Sequence, residues 1–174
     1  MDPASVEEKL RSGETAREAV SRLAAEKAAD VAARHPGGWV LAADTLVFFP
    51  DGAILGKPRD DADAARMLRE IAGKEHGVVT AVRLLRSPGP GSEIVDESHV
   101  RMAPLSEEEI RWYVATGEPR DKAGAYAVQG RGARFIEAIA GSYSNVMGLP
   151  ARAVYCLLRD ARDPALAPLA LSSP

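Results

Sequence analysis

The sequence has one cysteine, Cys156. That excludes an intramolecular disulfide and a cysteine-rich metal site. Histidine is equally sparse. His35, His76 and His99 are scattered without metal-ligand spacing. No signal peptide or transmembrane-length apolar run is visible at either end, so a cytosolic protein with no membrane partner is expected. An excess of positive charge is also missing. With 22 Lys and Arg against 25 Asp and Glu, the formal net charge is −3. This argues against a general nucleic-acid binder, although a local basic pocket remains compatible with it. What remains is ordinary for a globular chain: 174 residues, 46% hydrophobic and 27% charged. That is one domain, or one domain plus tails, with a single sizeable core. No internal repeat is present.

Residues 1–13 read as loop. Thr15 to Glu18 has the T-x-x-E pattern of a capping box, and the periodicity predicts a helix over Ala16 to Arg34. Trp39 to Phe49 is too apolar for a half-exposed strand and too short to cross a membrane as a helix, so it reads as a buried strand. Pro50-Asp51-Gly52 is turn chemistry, with Ala53 to Leu55 returning as a hairpin arm. Asp60 or Asp61 caps a helix whose inner face is Ala64, Met67, Leu68 and Ile71, stopped by Gly73. His76 to Leu85 and Glu93 to Met102 read as antiparallel strands around a Ser-Pro-Gly loop. Ser106 and Glu109 form a second capping box, and Gly117 ends the helix they open. Glycines at 124, 130, 132, 141 and 148 mark tight turns or close approach of backbone to a ligand around a strand from Arg134 to Ala140. A last helix runs from about Pro150 to Asp160 with Val154, Leu157 and Leu158 inward. Residues 161–174 are expected to be a disordered tail behind a single domain over 1–160. Strands and helices without strict alternation predict an α/β or α+β fold with a partly antiparallel sheet.

Two charges stand where packing wants hydrocarbon. At about 100° per residue, Lys27 falls within roughly 20° of the centre of the face formed by Val20, Leu23, Ala24 and Val31. Either it marks a site, or its stem packs and its amine reaches water. Asp44 interrupts the core of the apolar strand. A carboxylate there needs a cation, a metal or a cluster of N–H donors. The other reading is a structural aspartate bonded to a backbone turn.

The strings Ala43-Asp44-Thr45, Leu55-Gly56-Lys57-Pro58, Ser106-Glu107-Glu108-Glu109-Ile110, Tyr113-Val114, Asp121-Lys122-Ala123-Gly124-Ala125-Tyr126, Gln129-Gly130 and Gly141-Ser142-Tyr143 through Gly148-Leu149-Pro150 closely resemble the Maf family. These are septum-formation-inhibitor-like nucleoside triphosphate pyrophosphatases. The resemblance covers nearly the whole chain, from about Val6 to the last helix. It implies a fold similar to that of inosine triphosphate pyrophosphatases: elongated α/β, a mixed, twisted sheet, and a cleft between two lobes. It also implies release of pyrophosphate from a nucleoside triphosphate with a divalent metal, Mg²⁺ or Mn²⁺, leaving the monophosphate.

By the same resemblance, Asp44 is the expected catalytic proton acceptor. Thr45 and Gln129 match positions tied to base selection in the pyrimidine-preferring branch. Lys27 and Lys57 match phosphate-contacting lysines. Glu8, in Val-Glu-Glu where the family usually has Val-Asp-Glu, matches a carboxylate near the metal, which Asp44 would share. The Asp-Lys-Ala-Gly-Ala-Tyr string points to the dTTP and UTP branch, so dTTP, UTP or modified pyrimidine triphosphates are the implied substrates, and Ala127 departs from its commonest residue. A homodimer is implied. Family members begin with a strand and a Ser-x-Ser-Pro-Arg-Arg loop that this sequence does not contain, so an N-terminally truncated member is expected. The alternative function is a non-catalytic relative that binds a nucleotide or a cell-division partner. The chemistry is compatible with the residues themselves: lysines stabilise a polyanion, carboxylates hold a hard cation, and one of them can activate water.

Overall fold

The first helix, α1 (Ala16–Arg34), starts on a complete capping box. Thr15 accepts from the Glu18 N–H, and the Glu18 carboxylate accepts from the Thr15 N–H at 2.9 Å. Its buried face is mostly alanine, with Val20 and Leu23. Small side chains let the helix lie close against a sheet. This computed structural model describes residues 2–161 together with Asp163 and Leu166.

The sheet has five strands: β1 (Trp39–Phe48), β2 (Ile54–Leu55), β3 (Glu75–Arg86), β4 (Ser92–Met102) and β5 (Ile136–Ala140), in the order β2-β1-β3-β4-β5. The expected sheet was mixed and only partly antiparallel, but every pairing described here is antiparallel. Short hairpin turns join β1 to β2 and β3 to β4, and such turns can only make antiparallel neighbours. β3 is central and is buried from His76 through Val82, as expected of a strand covered on both faces. Phe48 faces Gly77 across the pair. A Cβ at Gly77 would stand 2.2 Å from the Phe48 ring, so glycine is required there.

Alternate residues of β3 serve two cores. On one face, Val79 and Ala81 join Leu46 and the inner side of α1. On the other, His76, Val78, Val82 and Leu84 lie in one row with Thr80. Val78 joins a large cluster with α2 (Asp61–Ile71), α3 (Glu107–Ala115), Tyr126 and Phe135. Val82 and Leu84 join a smaller one with α5 (Ala151–Asp160) and Leu166. Between these clusters lies a polar seam of Thr45, Thr80, Ser98 and Asn145. Asn145 belongs to a one-turn helix, α4 (Tyr143–Val146), that periodicity is too short to reveal.

One strand start differs from expectation by more than a residue. Arg134 and Phe135 belong to a 3-10 turn, Arg131–Phe135, and β5 starts at Ile136. The Glu118 carboxylate takes the N–H groups of Arg131 and Gly132 at 2.9 and 3.0 Å, which holds that turn out of the ladder. Most of the expected tail lies outside the described residues. Of its described part, Leu166 is buried and Asp163 accepts from Arg86 at 2.7 Å.

Candidate active site

Only Val47 and Phe48 of β1 pair with β2, so the neighbouring edge of β1 is open to a cleft among the described residues. This cleft holds about 520 Å³ and wraps that edge, taking in residues from both faces of the strand. Asp44 and Leu46 belong to the α1 face, while Thr45 and Val47 belong to the face that α4 covers. Glu8 and Leu10 close it from the N-terminal loop, Gly56 and Lys57 from the segment after β2, and Asp121 to Tyr126 from the glycine-rich stretch.

The charges meet at one point on the α1 face. Lys27 Nζ donates to Asp44 Oδ1 and to Glu8 Oε1, each at 2.5 Å. Lys57 Nζ reaches the other oxygen of Glu8 at 2.9 Å. Asp44 is only 7% exposed, and the Lys27 side chain 18%. Burial pushes the Asp44 carboxyl above the usual range, and this outweighs the opposing pull of Lys27. For Lys27, burial works against the charge, but its hydrogen bonds to Asp44 and Glu8 prevail and raise its pKa. Glu8 is also penalised by burial, yet Lys27 and Lys57 together hold it below the ordinary value. The result is a buried carboxylate with enhanced proton affinity, beside two cations that a polyanion can recruit.

Thr45 lies across the strand. Its hydroxyl is 2.9 Å from that of Thr80, which donates to the Asn145 carbonyl at 3.3 Å. Glu8, Lys27, Asp44, Thr45 and Lys57 therefore line one cleft. Gln129 does not. It is exposed and absent from the cleft lining, on the turn after the buried run Gly124–Val128. Val128 turns inward to the core and Gln129 outward to solvent. Lys122 was quoted only as part of a motif, yet it lines the cleft and pairs with Asp121 at 2.7 Å. Its signal was present, since a lysine between loop glycines and an acidic residue is a natural anion contact.

Among the described residues, no group of three or more His, Cys, Asp and Glu side chains is placed to hold a metal ion. Glu8 and Asp44 nonetheless present carboxylate oxygens to a shared point, now taken by the Lys27 ammonium. Two carboxylates suit Mg²⁺, which commonly takes one or two from the protein and the rest from substrate phosphates and water.

A sequence profile for the family described as Maf-like protein matches residues 1–161. The chain belongs to that family. It is 51% identical over 166 residues to a dTTP/UTP pyrophosphatase of Anaeromyxobacter sp. (strain Fw109-5), covering 93% of this chain and 78% of that protein. A dTTP/UTP pyrophosphatase of Symbiobacterium thermophilum is 53% identical over 135 residues, covering 76% of this chain and 68% of its own length. One from Koribacter versatilis is 46% identical over 163 residues, with shares of 92% and 82%. For this Maf-family chain, no described helix is long and apolar enough to cross a membrane.

Proposed function

We propose that this Maf-family protein hydrolyses nucleoside triphosphates of the dTTP and UTP type to the monophosphate and pyrophosphate. The observation that carries the reading is the buried Asp44 carboxylate held between Lys27 and the cleft, with Lys57 one carboxylate away. The names of its relatives agree with it.

The geometry supplies a sequence of events. A triphosphate entering the cleft competes with Glu8 and Asp44 for the two lysines. As Lys27 moves to a phosphate oxygen, Asp44 loses its partner and its proton affinity rises further. Asp44 then takes a proton from a water that attacks at the α,β junction. The phosphorus–oxygen bond to pyrophosphate breaks, and the new bond to water oxygen completes the monophosphate. The lysines neutralise charge on the leaving pyrophosphate. Glu8 and Asp44 would hold a divalent cation, which would neutralise further phosphate charge.

Asp44→Asn tests the reading. The substitution keeps size and removes the base, and loss of a general base typically costs about 10²–10⁴-fold in rate. Pyrophosphate release from dTTP should fall by that factor with the melting temperature held. Parental turnover in the variant would refute the role of Asp44. Nucleotide binding without turnover in the parent would instead favour the non-catalytic reading.

A further inference from the structure

The charges of the cleft run in one row, and the row continues past the groups that the proposed reaction uses. Asp44 accepts from Lys27, Lys27 also donates to Glu8, and the second oxygen of Glu8 accepts from Lys57 at 2.9 Å. Beyond Lys57 stands Asp121, which accepts from Lys122 at 2.7 Å. The Asp121 carboxyl is held below its ordinary range, first by the hydrogen bond from Lys122 and to a smaller extent by the charge of Lys57. Carboxylate and ammonium therefore alternate along one cleft, in the order Asp44, Lys27, Glu8, Lys57, Asp121, Lys122.

The outer end of this row is tied to its middle. The Gly124 N–H donates to the Gly56 carbonyl at 3.0 Å, so the loop that carries Lys122 is bonded to the segment that carries Lys57. Gly124 has a φ of +69°, and a Cβ there would stand 3.0 Å from Val47 of β1. Glycine lets the loop lie against the strand whose edge forms the cleft. Two residues on, the Tyr126 hydroxyl lies 2.8 Å from Nε2 of the wholly buried His76. Before Lys122, Arg120 holds both oxygens of Asp61 at 2.9 and 3.0 Å. Lys122 thus sits between two anchored points, and little ordering of its backbone is left to be done on binding.

The chemistry sets the order in which phosphates meet the lysines. Asp44 has to stand beside the α-phosphorus, where water attacks, so Lys27 meets the α-phosphate. Lys57 is one carboxylate further along and meets the next phosphate. Lys122 is two carboxylates further along, with the terminal phosphate left to it. Glu8 and Asp121 occupy the places between the lysines that phosphate charge would take.

We infer that Lys122 is a third substrate-contacting cation, that it takes the terminal phosphate and so selects a nucleoside triphosphate over the diphosphate, and that Asp121 is the counterion it gives up on binding. The inference rests on the nucleotide reading above and deepens it. A diphosphate is held by Lys27 and Lys57 and leaves Lys122 on Asp121.

The test measures binding by calorimetry, at a fixed Mg²⁺ concentration, with the α,β-methylene analogues of UTP and UDP, which cannot be cleaved at the α,β junction. The parent should bind the triphosphate analogue about 10-fold or more tightly than the diphosphate analogue, as one added charge-assisted hydrogen bond implies. Lys122→Ala should bring the ratio to within about threefold by weakening the triphosphate analogue alone. Lys122→Arg, which keeps the charge, should restore it. Asp121→Asn removes the competitor for Lys122 and should tighten the triphosphate analogue by about two- to fivefold, the worth of an exposed ion pair, while leaving the diphosphate analogue unchanged. The inference is overturned if Lys122→Ala keeps the parental ratio, if it weakens both analogues equally, or if Asp121→Asn weakens the triphosphate analogue. A protein that turns over dTTP while its Lys122→Ala variant keeps the parental ratio would refute this inference and leave the pyrophosphatase reading standing. One whose ratio collapses in Lys122→Ala but that hydrolyses no triphosphate would do the reverse.

Discussion

Replacing Lys27 by methionine should move the pH profile of hydrolysis upward on its acidic side. In the free protein, Lys27 Nζ sits 2.5 Å from Asp44 Oδ1, with the carboxylate nearly shielded from water. Two unit charges about 4 Å apart at an effective dielectric near 20 interact by roughly 4 kcal/mol, which corresponds to about three pKa units as an upper bound. Measured effects of a neighbouring opposite charge run about one to three units. Glu8 adds to the shift, because with Lys27 gone its negative charge faces Asp44 without a cation between them. The acidic limb of kcat/KM, which reports the free enzyme, should therefore rise by about one to three pH units in Lys27→Met. The limb of kcat should move less, because in the substrate complex the lysine is already drawn to phosphate. Lys27→Arg, which keeps the charge, should leave the kcat/KM limb near the parental position. The assay is pyrophosphate release from dTTP between pH 4 and 9. A limb that stays in place in Lys27→Met would mean that Asp44 does not carry the titration, and the pairing would then be structural only.

Gln129→Ala should leave the ranking of dTTP, UTP and GTP unchanged, because Gln129 is outside the cleft lining; a reordered ranking in a nucleotide panel would show that the turn reaches the base. Stability should rise with pH between about 4 and 6.5 through His76, whose buried ring is pushed down to about 4 because desolvation disfavours its charge, as does nearby His99. The unfolded chain binds the proton in that window and the folded chain does not, so acidifying from 6.5 to 4 costs roughly 3 kcal/mol. Asp44 slopes the other way, since its raised folded pKa makes the folded chain the better proton binder above the ordinary aspartate value. Urea unfolding in an Asp44→Asn background should therefore show the His76 slope between pH 5.5 and 6.5, above the range where the carboxylates with lowered pKa contribute, and a flat line there would refute it.

The elements that periodicity and capping announce were legible in the chain. Both capping boxes form as written, and α1 spans the residues the pattern delimits. Lys27 and Asp44 were found because each violates the apolar pattern of its own segment, and local sequence can show such a violation. Gln129 could not be placed the same way. Its exposure depends on whether the chain turns out after Val128, and that depends on Glu118, eleven positions earlier, seizing the N–H groups of Arg131 and Gly132. Thr80 was invisible for a related reason. A threonine inside a β-branched strand looks like packing, and only the register Thr45↔Thr80 shows that two hydroxyls meet.

The architecture also brings residues from both faces of one strand to a single cleft. Consecutive residues of a strand point to opposite faces, so Asp44 and Thr45 are adjacent in sequence but belong to different layers. α1 covers one layer and brings Lys27 to Asp44. α4 covers the other and brings a backbone carbonyl to Thr80, beside Thr45. A continuous paired sheet would keep these layers apart, but β1 pairs with β2 only at Val47 and Phe48, so the cleft reaches around its edge to both. A change in the α4 layer, such as Thr80→Val, removes the hydroxyl beside Thr45 without touching the Lys27–Asp44 pair. A change in the α1 layer, such as Lys27→Met, alters proton affinity without touching the hydroxyl chain. The two variants share no hydrogen-bond partner, so their effects on unfolding free energy should add to within about 0.5 kcal/mol when combined, and a larger coupling in urea unfolding would refute the separation of the layers.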